Sequence, residues 1–542
     1  MATAAPPKPT PLGGRAAWWA LAVVGLTQAL ALVDRQVLAI LLPRIKADLH
    51  VGDAEMGLLY GSVFALFYAL FSLPLGRIAD GWIRTRLLGL SILVWSAMTA
   101  LAGFANGFGL LALSRLGVGI GEASVQPAGF SLLADRFPRQ MKGTFTAVMA
   151  GAVALGLGSA LWIGGATAAA WEAHWPTGGA PLGLKGWQAA FIVAALPGPI
   201  LAILLFMLKE PTRGAADGIV SPPDPHPIRA GWHMLGAILP GFAWISFARR
   251  RAPASLWAIN LIGLFVIILV MVLLTRWTDG MRAVNPAALT IGGLSLTGNG
   301  IQWLVTGFGA YVLLCWVQSL RINDAPAHAL LVKSPAMMLT LAIAALQTMI
   351  NYGIMAWTPS FIIRTYHADA ADVGLKFGVL SAAIGILGPL IAGPLSDRIA
   401  ARFPGGRIYV TLGSMIISPI FAFLVYRAPT SGAFYGWFVL YSLSLTAWLP
   451  PIYATLLDLV LPRMRASVIS LYLLMITIVG MGIGPYAVGI ISDGNGGRLG
   501  PAILHLYWVA PVLIVLSVLL VRRLPRDEAL LLERARAAGE VV

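Results

Sequence analysis

The chain has 542 residues, of which 58% are hydrophobic and only 11% charged, and its mean hydropathy is +0.82. Those proportions exclude a soluble globular protein, which needs far more polar surface, and apolar stretches of about twenty residues recur along the whole length, as a bilayer core demands. The formal net charge of +15 does not point to nucleic acid, because the basic residues fall in short clusters between apolar runs rather than on one polar domain.

The N-terminus, MATAAPPKPTPLGGR, is Pro-rich and polar. The first apolar run lacks a cleavage site followed by a soluble domain, so residues 1–16 read as a cytoplasmic tail leading into a retained helix. Spans are expected near 17–42, 56–76, 86–105, 110–134, 145–166, 187–208, 254–275, 299–320, 335–362, 373–395, 407–426, 433–458, 467–491 and 501–521. With the N-terminus inside, cytoplasmic segments hold about 26 of the 37 Lys and Arg residues and outer segments about 9. That bias places both termini in the cytoplasm of a multi-pass inner-membrane protein. Residues 232–247 (HMLGAILPGFAWISFA) are apolar but short and interrupted by Pro240. A fifteenth span there would turn every later basic loop outward, so the segment reads as a helix lying on the inner interface.

The chain repeats itself. Gly76-Arg-Ile-Ala-Asp80 follows the second span and Gly393-Pro-Leu-Ser-Asp397 the tenth; Phe137-Pro138-Arg139 and Leu461-Pro462-Arg463 recur later in the same order. The offsets, 317 and 324 residues, imply two six-span halves, as in transporters built from internal repeats. The expected organisation is an N-terminal bundle at 17–213, a linker at 214–333 with the interfacial segment and two extra transmembrane helices, a C-terminal bundle at 334–522 and a cytoplasmic tail at 523–542. The fold class is all-α integral membrane, two six-helix bundles plus two inserted helices, with about 14 transmembrane helices.

An ionised group in the bilayer core must pair or line a wet cavity. Four lie well inside the spans: Asp34, Arg35, Arg115 and Glu122. Arg115 and Glu122 are seven apart, two helical turns, and share a face, and Asp34 lies at a depth that could approach Arg115. A cation flanked by two carboxylates could exchange a proton for an anion, with Asp34 and Glu122 as proton carriers and Arg115 as substrate anchor. Alternatively the three lock the first and fourth spans together. Arg35 is expected at the outer mouth in a structural role. In the ninth span Gln347, Asn351 and Tyr352 share a face; buried amides need partners, so these either bond neighbouring helices or line the cavity and contact substrate. The lone cysteine, Cys315, allows no intramolecular disulfide, and the seven histidines show no metal-ligand spacing. Gly117, Gly119 and Gly121 sit inside an apolar helix with no preceding strand and fit close helix packing, not a phosphate loop.

Several stretches resemble the major facilitator superfamily, and within it the spinster-like branch. Val33-Asp34-Arg35-Gln36 is similar to that branch's x-D-R-x signature, GRIADGWIRTR (76–86) to the superfamily's G-x-x-x-D-R-x-G-R-R/K loop, and SRLGVGIGEAS (114–124) to the spinster R-x-x-x-G-I-G-E-A-S segment. Gly186-Trp187-Gln188-Ala189-Ala190-Phe191 resembles the usual start of span six, Glu210-Pro211-Thr212-Arg213-Gly214 its exit, and PYAVGIISD (485–493) the end of span eleven. Gly81 and Ile83 depart from the loop motif. The resemblance implies a major facilitator fold working by alternating access, proton coupling through Asp34 and Glu122, and a conformational latch of Gly76, Asp80, Arg84 and Asp397 in which the acid meets a helix N-terminus across the halves. The two inserted spans resemble the layout of proton-coupled peptide transporters, but the first span lacks their E-x-x-E-R signature.

The expected function is secondary active transport of an amphipathic or anionic organic solute, lysolipid- or sphingolipid-like or an organic acid. The expected partners are that small-molecule or lipid-like substrate, protons and membrane lipids, with no nucleic acid, metal or cofactor, and a monomeric chain. No Walker motif occurs, and no nucleophile, base or metal cluster suggests an enzyme. The alternatives are a transport-inactive receptor or scaffold, or a drug or metabolite exporter without proton coupling through Asp34 and Glu122.

Overall fold

The computed structural model describes residues 12–49, 63–176, 179–219, 221–281, 287–291, 294–368 and 370–541. In lipid each backbone N–H and C=O must be satisfied within the protein, and the apolar runs do so as helices. The first group comprises α1 (Arg15–Leu49), α2 (Val63–Gly81), α3 (Arg84–Ala102), α4 (Phe108–Glu122), α5 (Val125–Ala134), α6 (Lys142–His174), α7 (Gly186–Ala195) and α8 (Pro197–Met207). α4 and α5 form one span interrupted at Ala123–Ser124, directly after Glu122, and α7 passes into α8 at Leu196, ahead of Pro197. The inserted segment holds α9 (Pro227–Ile238), α10 (Phe242–Arg249), α11 (Ala254–Asp279), β1 (Ala287–Ile291), β2 (Leu294–Thr297), α12 (Gly298–Asn323) and α13 (Ala325–Leu331). The last group is α14 (Pro335–Tyr366), α15 (Ala370–Ala400), α16 (Arg407–Tyr426), α17 (Ser431–Thr446), α18 (Leu449–Asp458), α19 (Arg465–Met475), α20 (Gly482–Gly494), α21 (Leu499–His505), α22 (Ala510–Ala529) and α23 (Leu531–Ala537). A π-helical turn, Ile476–Met481, joins α19 to α20.

Among the described residues, 13 helical stretches are long and apolar enough to cross a membrane. α2 belongs to a further expected span, whose residues 56–62 lie outside the described ones. The fold is the all-α one expected, save for the short antiparallel hairpin β1–β2 (AALTI and LSLT) between the two inserted spans, paired from Ala287 opposite Thr297 to Ile291 opposite Leu294.

The halves meet along two equivalent seams. α2 packs on α19, and α6 packs on α15. Close approach is set by glycine at both. A Cβ on Gly76 would lie 2.1 Å from Ser470 Oγ, and one on Gly393 would lie 2.4 Å from the Gly143 carbonyl oxygen.

The segment 232–247 is not one helix. α9 and α10 are separated by a corner at Leu239–Gly241, where Gly241 has φ +81°, because Pro240 cannot donate to a continuing helix. α9 lies along α2, with Gly231 against Ile78. α11 and α12 pack together through a buried knot at Asn260, which donates to Gln318 (2.7 Å) and accepts from Tyr311 (2.9 Å) and Trp244 (2.8 Å). Such bonds hold helices together in lipid, where apolar contact alone gives no preference. α12 packs against α2 and the π-helical turn, and α11 lies outside it.

Candidate functional site

Successive residues of a helix point about 100° apart, so Asp34 and Arg35 leave α1 in different directions. Arg35 Nη2 pairs with Glu122 Oε2 at 2.9 Å; the Glu122 side chain is wholly buried and that of Arg35 is 18% exposed. The Arg35 guanidinium lies 4.7 Å above the ring of Tyr68 on α2, in a favourable cation–π geometry. Tyr352 on α14, 39% exposed, lies within electrostatic reach of Arg35. Beside this pair, Tyr453 on α18 donates to Gln126 Oε1 on α5 (2.9 Å), stacks on Phe130 (4.4 Å) and meets the tilted ring of Tyr472 (4.7 Å). The result is an ion pair facing an aromatic, hydroxyl-bearing wall to which both halves contribute.

Asp34 points instead into the N-terminal bundle. It is fully buried, and neither carboxyl oxygen has a hydrogen-bond partner within bonding geometry. Trp95 Nε1 and Thr99 Oγ1 of α3 lie near it, and among the described residues both also lack a hydrogen-bond partner. Arg115 is buried too; its Nη1 donates to the backbone carbonyl of Asp34 (3.0 Å), and its guanidinium stands 5.4 Å from the Phe191 ring.

Two expectations are thereby corrected. Arg115 is not hydrogen-bonded to either acid: Glu122 pairs with Arg35, and Arg115, within electrostatic range of both Asp34 and Glu122, donates to a backbone carbonyl. Seven residues of α-helix separate Arg115 from Glu122 by about 10 Å along the axis, so a shared face leaves the two side chains in electrostatic range but not in direct contact. Arg35 is not a residue of the outer mouth but the partner of Glu122 at the seam. Gln347 is likewise buried, not cavity-lining: its amide meets that of Asn351 at 2.9 Å, and the Asn351 amide reaches Trp448 Nε1 at 3.2 Å. Of the three ninth-span residues, Tyr352 is the one at the seam.

At the other end of the seams lies an ion-pair network of two-fold character. Asp80 accepts from the backbone N–H groups of Ala466 and Ser467 at the N-terminus of α19, both at 2.8 Å. Asp397 accepts from Gly143 N (3.0 Å) and Thr144 N (2.8 Å) at the N-terminus of α6, and from Thr144 Oγ1 (2.9 Å). Each carboxylate of one half thus caps a helix of the other, where unsatisfied N–H groups and the helix dipole favour an anion. Around them Asp135 pairs with Arg465 (2.7 Å) across the halves and with Arg84 (2.5 Å) within its own. Asp458 pairs with Lys142 (2.8 Å) across the halves and with Arg407 within its own. Arg84 therefore does not bridge the halves itself. Its other partner, Glu210 (2.6 Å), also belongs to the first group, and its link to the second half runs through Asp135, which pairs with Arg465.

The residues that sequence reasoning passed over are Asp135, Lys142, Asp458 and Arg465. A signal was present: Arg84 and Arg407, Asp135 and Asp458, and Lys142 and Arg465 are each 323 residues apart, the spacing of the internal repeat.

The sequence profile of the Major Facilitator Superfamily matches residues 24–485 and, in a second match, 337–540. An MFS-type efflux pump of Mycolicibacterium smegmatis is 25% identical over 491 residues, covering 90% of this chain and 87% of that one. Protein spinster of Drosophila melanogaster is 27% identical over 205 residues, 38% of this chain and 32% of that one. Among solved structures, a bacterial homologue of the human lysosomal transporter spinster, in an inward-facing and occupied conformation, shares the fold with a TM-score of 0.51 at 21% identity, covering 96% of this chain and 97% of that one. The chain therefore belongs to the Major Facilitator Superfamily of transporters, as a multi-pass membrane protein resembling the spinster-like branch.

Proposed function

We propose that the protein is a proton-coupled secondary transporter of an amphipathic or anionic organic solute, lysolipid- or sphingolipid-like or an organic acid. It works as a monomer in the inner membrane with both termini cytoplasmic, its halves 17–213 and 334–522 rocking about the central seam. The observation that carries the reading is the Arg35–Glu122 pair facing the tyrosines of both halves. An acidic head group that takes Arg35 leaves Glu122 buried without its counter-charge, an arrangement of high cost in the bilayer core. A proton on Glu122 removes that cost, so anion binding and proton uptake are linked. Asp34 serves as a second proton site behind the seam, and Arg115 holds the α1 backbone that carries both Asp34 and Arg35. The aromatic wall of Tyr68, Tyr352, Tyr453 and Tyr472 suits the apolar body of an amphipath. With the basic latch end in the cytoplasm, the engaged latches describe an outward-facing state.

The test is uptake of lysophosphatidylglycerol and of an aromatic carboxylate into proteoliposomes, with and without an imposed pH gradient, beside equilibrium binding. Glu122→Gln should keep binding and lose the response to the gradient; Asp34→Asn should weaken the response, because coupled acids share their titration. Full gradient-driven uptake in both variants rejects proton coupling through these acids. Absence of uptake of any ligand that the wild-type protein binds favours a transport-inactive receptor.

A further inference from the structure

A cavity lies beside the α2–α19 seam, under the inserted helix α12. It encloses about 180 Å³ between Ala69 and Leu70 of α2, Val305 and Gly309 of the inserted α12, and Ile478 and Met481 of the π-helical turn. Its walls therefore come from the first half, the insert and the second half. Ala69 and Leu70 precede Asp80 by ten residues or more, about 15 Å at 1.5 Å per residue, which is mid-depth in a core of about 30 Å. Gln302, Val305 and Thr306 on its rim are only half-buried, so the cavity communicates with the outer surface of the protein, and at that depth the surroundings are acyl chains.

The chemistry of the walls selects the occupant. The lining is mainly aliphatic, and the polar groups of α12 bond within the wall. Gln302 Nε2 donates to the Gly482 carbonyl (2.8 Å), a group at the end of the irregular π turn, and Thr306 Oγ1 donates to the Gln302 carbonyl (2.9 Å). A polar head group would find little to bond. An apolar cavity of about 150 Å³ takes a benzene ring, so this one matches the cross-section of a single hydrocarbon chain rather than two chains or a head group.

The insert's attachments make the cavity sensitive to conformation. α12 is fastened to the second half at both ends: Tyr486 donates to Asn299 (2.9 Å), and Arg463 holds Asp324 in a bidentate pair (2.8 and 3.0 Å). It meets the first half by packing against α2, by one longer ion pair, Asp324–Arg77 at 3.8 Å, and through α9, which packs on both α12 and α2. α12 is thus tied to both halves, so when the halves rock the cavity between α2, α12 and the π-helical turn changes shape.

We propose that this cavity is a binding site for one acyl chain of a bilayer phospholipid, enclosed by the inserted helix α12 and favouring the latch-closed state in which the cavity is formed. The test reconstitutes the full-length protein in phosphatidylethanolamine liposomes doped with a phosphatidylcholine that carries a mid-chain diazirine. After irradiation, labelled residues are mapped by mass spectrometry. Labels should concentrate at Leu70, Val305 and Ile478, and fall to background in Val305→Trp and in Ala69→Leu, which fill the cavity from opposite walls. Melting temperature and elution profile show that each variant is folded, and either one alone carries the test. Leu261→Trp, on the lipid-facing side of α11, should leave the pattern unchanged. Labels spread evenly over the exposed apolar faces, or persisting in both filled variants, would overturn the proposal.

Discussion

Asp80 and Asp397 allow the stability of the closed latch end to be dissected one carboxylate at a time. Asparagine is nearly isosteric, but it keeps one acceptor oxygen and turns an amide NH₂ toward a backbone N–H. Each substitution therefore removes at least one charge-assisted hydrogen bond, worth about 1.5–3 kcal/mol. At 1.4 kcal/mol per tenfold, a single variant should shift the closed-to-open ratio by about 10- to 100-fold. Asp397 accepts one more bond across the halves than Asp80, from Thr144 Oγ1, so Asp397→Asn should give the larger shift. The sites share no side-chain partner, and their effects should add in the double variant. Double electron–electron resonance between labels at Arg86→Cys and Arg402→Cys, both exposed near the latch end, reports the separation of the halves; the native Cys315 is buried. A double variant with the wild-type distance distribution would refute the view that these carboxylates hold the latch end shut.

Three further outcomes follow from the same geometry. Arg35→Ala should abolish binding of an anionic ligand and, because it leaves Glu122 buried without its partner, also lower the melting temperature, a loss relieved in Arg35→Ala/Glu122→Gln. Arg115→Ala, which removes a hydrogen bond to the Asp34 carbonyl and a ring contact, should lower the melting temperature and spare binding; isothermal titration and thermal melts separate the two. Gly76→Ala places a methyl group 2.1 Å from Ser470 Oγ and 3.1 Å from the Ala466 carbonyl, so it should destabilise the closed state by about 1–3 kcal/mol, read as a broadened distance distribution. In the loop after α8, burial alone would raise the Asp217 carboxyl, but Arg465 and Lys142 outweigh it and hold it below the usual range. That stabilisation is complete above the ordinary carboxylate value of about 4 and is lost as pH falls through the depressed one, so Asp217→Asn should flatten the acid limb of melting temperature against pH.

Much of this arrangement was legible in the sequence because the chain is so poor in charge. Asp34, Arg35, Arg115 and Glu122 stand out in apolar runs, and Gly76–Asp80 and Gly393–Asp397 recur at a fixed offset. Partner choice was less legible. Which of Asp34 and Arg35 faces the seam depends on the rotation of α1 about its axis, and packing against α6 sets that rotation. Periodicity puts Arg115 and Glu122 on one face but says nothing of the 10 Å or so between them. The break after Glu122 and the corner at Pro240–Gly241 could be anticipated only in part, since proline marks where a helix is disturbed but not how the chain turns. The cross-half pairs of Asp135 and Asp458 were within reach, had the repeat spacing been applied to charges as well as to loop motifs.

The two-fold arrangement of the latch has an electrical consequence. The first half contributes Asp80, Arg84, Asp135 and Lys142, and the second contributes Asp397, Arg407, Asp458 and Arg465, two anions and two cations from each. Carrying one elementary charge through a 100 mV field is worth about 2.3 kcal/mol, enough to bias a rocking equilibrium strongly. Among these eight residues the charges cancel within each half, so separating the halves displaces no net charge from this set along the membrane normal. These eight groups therefore contribute little voltage dependence to the conformational step.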